Sequence, residues 1–172
     1  TGYTGTATSA LIASVGSHQA AYGGGNDAFL VKFNSLGVRQ WGTYYGGTGG
    51  DVAYACAVDA TGNVYMTGYS SSNVGTVIST AGSHQTVMGG TFDAFLVKFS
   101  TAGVRQWGTY YGGTGGEYGY GCATDAAGNV FMTGFTNSGT GNVIATVGSH
   151  QSVFGGGDDA FLVKFNTAGV RQ

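Results

Sequence analysis

The sequence predicts an all-β chain of propeller-type blades, each a sheet of four short antiparallel strands. Three observations carry that prediction. The heptapeptide DAFLVKF occurs at Asp27, Asp93 and Asp159, 66 residues apart each time. GVRQWGTYYGGTGG runs unchanged from Gly37 to Gly50 and again from Gly103 to Gly116. Apolar residues alternate with period two inside short runs, and no stretch sustains the 3.6-residue period and caps of a helix. Self-similarity at fixed spacing marks units that bury their apolar faces only against neighbours of the same kind. With a 66-residue repeat the 172 residues hold about 2.6 blades. The chain divides into a partial blade over 1–26, repeat units over 27–92 and 93–158, and a partial unit over 159–172.

Each unit reads in the same order. TGYTG at Thr1 matches TGYSS at Thr67 and TGFTN at Thr133, so the chain opens inside a unit. A Ser/Thr/Gly/Asn-rich segment follows, with turn composition and only short apolar runs, and is expected to be a long surface loop. DAFLVKF then places Phe29, Val31 and Phe33 on one face and Ala28, Leu30 and Lys32 on the other, which is a strand covered on both sides. The turns NSLG, STAG and NTAG each carry a glycine where positive φ is expected. VRQWGTYYGG is a second strand, ending at glycines. The small-residue runs YACAVD (Tyr54 to Asp59) and YGCATD (Tyr120 to Asp125) are a third, expected where backbones crowd together nearest the axis. DATGN and DAAGN read as tight turns in which Asp59 and Asp125 accept backbone N–H bonds. NVYMTGY from Asn63 to Tyr69 is the fourth strand. Such blades stack face to face, as in a β-propeller.

The composition narrows the partners. Charged residues make up 8% of the chain, against roughly a quarter in an average domain. The net charge is −2, and all six cations fall at two repeat positions: Lys32, Lys98 and Lys164, and Arg39, Arg105 and Arg171. Cations this sparse make no phosphate-tracking stripe, so nucleic acid is not an expected partner. No apolar run approaches the roughly 18 residues of a membrane span. No leader is visible at Thr1, and any leader is expected upstream of this segment.

The succession GGTGGDVAYACAVDATGNVYMTGYS, GSHQTVMGGTFDAFLVKF and GVRQWGTYYGG resembles the bacterial SBBP-type β-propeller repeat, a relative of the NHL repeat. The resemblance covers nearly the whole chain. It departs at His18, His84 and His150, where the family more often carries an aromatic, and in lacking the prolines usual in the long loop. It implies secreted or surface-exposed multi-repeat proteins and no common enzyme activity.

Candidate chemistry is sparse. His18, His84 and His150 each stand in GSHQ. Equivalent loop positions on successive blades lie too far apart for ligation at about 2 Å, so packing or hydrogen bonding is expected of them. No buried acid is placed to orient them as bases. Asp27, Asp93 and Asp159 are expected to pair with Lys or Arg of the same blade. Asp51, Glu117, Asp158 and Asp159 are weak calcium candidates, since calcium needs six to eight oxygens and no established calcium-loop spacing is present. Trp41, Tyr44, Tyr45, Trp107, Tyr110 and Tyr111 are either packing between blades or a carbohydrate-stacking platform. The glycine runs precede a strand and not a helix, which disfavours phosphate. The loops hold no N-x-S/T sequon; O-linked glycan on Thr4, Thr6 and Thr8 competes with a plain solvated loop. Cys56 and Cys122 occupy one repeat position and are expected as buried unpaired thiols; a bridge requires Cα atoms within about 7 Å.

Every polar candidate recurs wherever its unit does, whereas an enzyme needs asymmetric groups. The expected role is therefore a structural or interaction module of a secreted or surface-exposed bacterial protein, as part of an extracellular fibre or filament, with neighbouring repeats or copies of itself as partners. No enzyme activity, cofactor or membrane insertion is expected. The alternative is a carbohydrate-binding propeller. A ring of about seven units would need roughly 460 residues, so a longer array or strands from neighbouring chains are expected.

Overall fold

The computed structural model describes residues 1–6, 9–73, 77–139 and 143–172. Ten strands fall into three antiparallel sheets. The first holds β1 (Gly2–Thr4), β2 (Asp27–Phe33) and β3 (Arg39–Tyr45). The second is a full blade of β4 (Asp51–Val58), β5 (Val64–Ser70), β6 (Asp93–Phe99) and β7 (Arg105–Tyr111), paired in that order. The third holds β8 (Glu117–Thr124), β9 (Val130–Thr136) and β10 (Asp159–Phe165). A single four-residue turn of helix, α1 (Ser9–Ile12), is the one helical element among those assigned.

The sheets are out of phase with a unit cut at Asp27. The full blade takes β4 and β5 from residues 27–92 and β6 and β7 from residues 93–158. The reason lies in the connections. The long loop joins β5 to β6, which pair over all seven residues from Val64↔Phe99 to Ser70↔Asp93. The short GGTGG link carries the chain out of one sheet and into the next, where Asn26 and Phe92 form parallel bridges to Gly50 and Gly116. A repeat has a period but no intrinsic start, so sequence alone leaves that phase open.

The turns behave as their residues dictate. Gly37, Gly103 and Gly169 all have positive φ, at 74°, 81° and 79°. Asp59 Oδ1 accepts the N–H groups of Thr61 and Asn63 at 2.9 and 3.0 Å, and Asp125 Oδ1 does the same for Ala127 and Asn129. The long loop is more than a surface excursion. It folds back along the outermost strand, where Ser14 N donates to Gly42 O and Tyr44 N to Gln19 O, and Thr80 and Tyr110 repeat the pattern with Gly108 and Gln85. An unpaired sheet edge is thereby covered. The loop also buries Ile78 completely.

The core consists of two equivalent layers between sheets. In the first, Ala28, Leu30, Trp41 and Tyr45 of one sheet meet Met66, Phe95, Val97 and Phe99 of the next. In the second, Ala94, Leu96, Trp107 and Tyr111 meet Met132, Phe161, Val163 and Phe165. Each DAFLVKF strand thus gives one face to each neighbouring blade, which is why β6 is buried at all seven positions. At the opposite edge the small-residue strands β4 and β8 lie beside one another. Thr124 Oγ1 donates to Val58 O across that gap at 3.1 Å.

Candidate functional site

Each junction between blades is built from the same few side chains, and strand alternation delivers them there. Trp41 and Tyr45 share one face of β3. Trp41 Nε1 crosses the junction to donate to Thr101 O at 2.9 Å, and Lys32 Nζ donates to the same carbonyl at 3.0 Å. Tyr45 Oη donates to Ile78 O in the loop of the next blade. The second junction repeats this with Trp107 and Lys98 on Thr167 O, at 3.1 and 3.3 Å, and Tyr111 Oη on Ile144 O at 2.5 Å. A buried indole or phenol needs a partner for its polar atom, and the turn and loop of the neighbouring blade supply it.

These contacts correct the carbohydrate-platform expectation. Trp41, Tyr44, Tyr45, Trp107, Tyr110 and Tyr111 are all buried, none with more than 9% of its surface exposed. Rings packed on both faces offer nothing for a sugar to stack on. The exposed tyrosines are instead Tyr3 on β1, Tyr54 on β4 and Tyr120 on β8, with the Tyr54 and Tyr120 ring centroids 5.1 Å apart.

The acids form the second layer of the site. Asp27 and Asp93 are not held by Lys or Arg, as the sequence suggested. Gln19 Nε2 and Gly23 N each donate to Asp27 Oδ2 at 2.9 Å. Gln85 Nε2 and Gly89 N do so for Asp93 Oδ2 at 2.6 and 2.9 Å, and Gln151 and Gly155 for Asp159. The lysines are drawn instead to the carbonyls of the neighbouring turn. The glutamine carbonyl completes the latch: Gly46 N donates to Gln19 Oε1 at 3.0 Å and Gly112 N to Gln85 Oε1 at 2.9 Å. Composition hid this role, because glutamine reads as solvated loop. The fixed separation of eight residues between each GSHQ glutamine and its aspartate was the available signal.

Across the junction, Asp51 faces Asp27 around Gly46. A β-carbon on that glycine would stand 2.8 Å from Asp27 Cγ and 2.9 Å from Asp51 Oδ2. Both carboxyls are fully buried. Burial pushes Asp27 up to about 6, with the neighbouring Asp51 charge adding to it, against the N–H bond from Gly23. Burial likewise raises Asp51 and brings Asp93 to about 6. Asp51 is wrapped by donors: Gly47 N at 2.8 Å, Ser72 Oγ at 2.6 Å, and Ser70 Oγ. Glu117 receives Gly113 N at 2.8 Å and Thr136 Oγ1 at 2.5 Å.

N–H and O–H groups aimed at these oxygens are the wrong lining for calcium, which requires acceptors turned toward it. Of the other two calcium candidates, Asp158 is exposed and Asp159 is engaged by Gln151 and Gly155. Among the described residues no group of three or more His, Cys, Asp or Glu is placed to hold a metal ion.

His18 and His84 lie against aromatic rings, while His150 is exposed. His18 lies 5.9 Å from the Tyr45 ring and 5.8 Å from Phe99, and His84 repeats this with Tyr111 and Phe165 at 5.8 and 5.7 Å. Burial, helped by the Arg105 guanidinium, lowers His18 to about 4; His84 is lowered by burial and Arg171. His18 is half-buried and His84 exposed at the rims of the two junctions. The O-glycan candidates Thr4 and Thr6 bond to one another through their hydroxyls at 3.2 Å, and Thr8 lies outside the described residues. Cys56 departs from expectation by being exposed, while Cys122 is half-buried; both are free thiols.

Residues 40–75 match the family model of the SBBP beta-propeller repeat. The match spans most of β3, the Gly-rich link, β4 and β5, and a similar stretch recurs 66 positions later. Comparison with curated proteins gave no match.

Proposed function

We infer that this SBBP-repeat segment is a structural and interaction module whose partners are further blades of its own kind, in a secreted or surface-exposed bacterial protein that forms an extended array. One observation carries the reading: the outermost faces of the three-sheet stack are the two halves of the interface already used twice within it. Phe33 of β2 is 58% exposed, whereas its equivalent Phe99 is fully buried. Leu162 of β10 is 74% exposed, whereas Leu96 is fully buried. A face bearing Phe29, Val31 and Phe33 therefore matches a face bearing Ala160 and Leu162. Such a head-to-tail contact propagates into a ring or a filament according to its rotation. Secretion and bacterial origin rest on the family resemblance, and the low charge agrees with a scaffold.

Sedimentation across a wide concentration range tests the stacking. The expected result is concentration-dependent association that Leu162→Asp abolishes and that high salt does not. A monomer at every concentration overturns it.

The exposed tyrosines favour a second reading, carbohydrate binding, now moved to Tyr3, Tyr54 and Tyr120. Glycan binding that Tyr54→Ala and Tyr120→Ala each weaken would support it, and silence across a broad glycan panel would exclude it.

A further inference from the structure

The small-residue strands β4 and β8 each carry a bulge at the same repeat position. On β4 the register jumps between Ala53, opposite Gly68, and Ala55, opposite Thr67, so Tyr54 is the extra residue. On β8 it jumps between Gly119, opposite Gly134, and Gly121, opposite Thr133, which makes Tyr120 the extra residue. Glycine is required on the facing strand: a β-carbon on Gly68 or Gly134 would stand 1.8 Å from Val52 O or Tyr118 O. A bulge re-aims the side chain it carries. Both bulged tyrosines reach solvent, at 44% and 51% exposed.

The bulged rings also meet one another, with their planes inclined at 53°. Tyr69 of β5 and Tyr118 of β8 complete a circuit of four phenols. Within a sheet, Tyr54 and Tyr69 stand 6.0 Å apart, and Tyr118 and Tyr120 6.3 Å. Between sheets the separations are shorter, 5.1 Å for Tyr54 and Tyr120 and 4.8 Å for Tyr69 and Tyr118. The nearest phenol to each member of the circuit is therefore on the neighbouring blade. Tyr69 and Tyr118 are half-buried and hemmed in by Phe92, at 5.4 and 5.8 Å. Tyr54 and Tyr120 are the pair that an oxidant in solution can reach.

We propose that Tyr54 and Tyr120 are a site of oxidative phenol coupling, joined by a carbon–carbon bond that staples consecutive blades, with hydrogen peroxide acting through a haem peroxidase as the oxidant. The peroxidase takes one electron from each phenol, and each hydroxyl proton passes to water. Each phenoxyl radical carries spin on the ring carbons beside the C–O bond. The two radicals pair and form one Cε–Cε bond. Each bonded carbon then gives up its hydrogen as a proton, and each oxygen regains one. Overall two hydrogens leave the protein and one peroxide becomes two waters. Adjacency makes the coupling intramolecular, and rings open to solvent on one side are free to turn those carbons toward each other.

Dilute native protein treated with a haem peroxidase and one equivalent of peroxide tests this, followed by intact mass and by the blue fluorescence of coupled tyrosine. Wild type should stay a monomer, lose two hydrogens and fluoresce, with peptide mapping joining Tyr54 to Tyr120. The new bond spans 66 residues of chain, so the thermal midpoint should rise by roughly 10 °C. Tyr54→Phe and Tyr120→Phe keep the ring packing and should each lose the two-hydrogen product. A wild type that keeps its mass, couples only between separate chains or joins other tyrosines overturns the proposal, as does undiminished coupling in either variant.

Discussion

Gly103 lies against the face of Trp41 from the preceding blade: a β-carbon built on it would stand 2.8 Å from indole Cδ2 and 3.1 Å from Cε2. Gly37 occupies the same turn one unit earlier, at φ +74° against +81°, with nothing within 4 Å of its β-carbon position. The pair separates two costs that usually travel together. Gly37→Ala carries only left-handed strain, about 1 kcal/mol. Gly103→Ala carries that strain plus overlap with a ring in a packed layer, about 1–3 kcal/mol more. Urea unfolding of the two variants should show Gly103→Ala as distinctly the less stable. Equal losses would mean that the turn and the indole do not meet.

Trp107 repeats the clasp, with its Nε1 on Thr167 O. Truncation and conservative replacement should therefore differ sharply. Trp107→Ala empties a buried site at the junction and should cost about 3–5 kcal/mol. Trp107→Phe keeps much of the ring and loses the hydrogen bond, about 1 kcal/mol, because Lys98 Nζ still reaches the same carbonyl. Thermal unfolding of both variants checks the ordering.

The glutamine latch predicts an effect that depends on position. Gln85→Leu keeps the volume but strips a donor from Asp93 Oδ2 and an acceptor from Gly112 N, and the Asp93 side chain is fully buried. Unmade bonds to buried groups cost about 1–3 kcal/mol. Gln151→Leu breaks the same contact to Asp159, which is partly exposed and can turn to water, so its loss should be a few tenths of a kcal/mol. Hydrogen exchange at the Gly112 amide should accelerate in Gln85→Leu and stay unchanged in Gln151→Leu.

The sequence showed the strands plainly, because DAFLVKF and RQWGTYY alternate with period two and stop at glycines. It showed the face-to-face stacking too, since Phe95 and Leu96 cannot both be buried by one neighbour. It did not show which strands share a sheet, because β5 pairs with β6 across a long loop while β7 leaves its neighbour β8 across a short link, the reverse of what loop length suggests. Nor did it show the fate of the acids. A lysine five residues from Asp93 on one strand lies on the opposite face and cannot curl back to it, and glutamine reaches in from a loop that composition marks as solvated. Trp41 and Tyr45 looked equally suited to a ligand or a neighbour; only the approach of Gly103 and Ile78 decides for the neighbour.

Acid titration should expose two opposed linkages at these junctions. Asp27 and Asp93 are held near 6 in the fold against 3.8 when unperturbed. A raised carboxyl binds its proton more tightly in the folded state, so its stabilising share is complete below about pH 4 and is lost as pH rises through about 6. His18 is held near 4 against 6.5, and His84 is lowered as well. A depressed histidine stabilises above about pH 6.5 and loses that share as pH falls toward 4. The groups facing them are Asp51 and Glu117 for the acids and Arg105 and Arg171 for the histidines. Over pH 4 to 6.5 the two slopes oppose, and the wild-type profile should be shallow. Replacing both acids, Asp27→Asn with Asp93→Asn, should leave a protein that weakens steadily on acidification. Replacing both rings, His18→Phe with His84→Phe, should leave one that strengthens on acidification from pH 6.5 to pH 4. Urea midpoints at half-unit pH intervals read the three slopes, and parallel profiles would show that these groups titrate alike in the folded and unfolded chain.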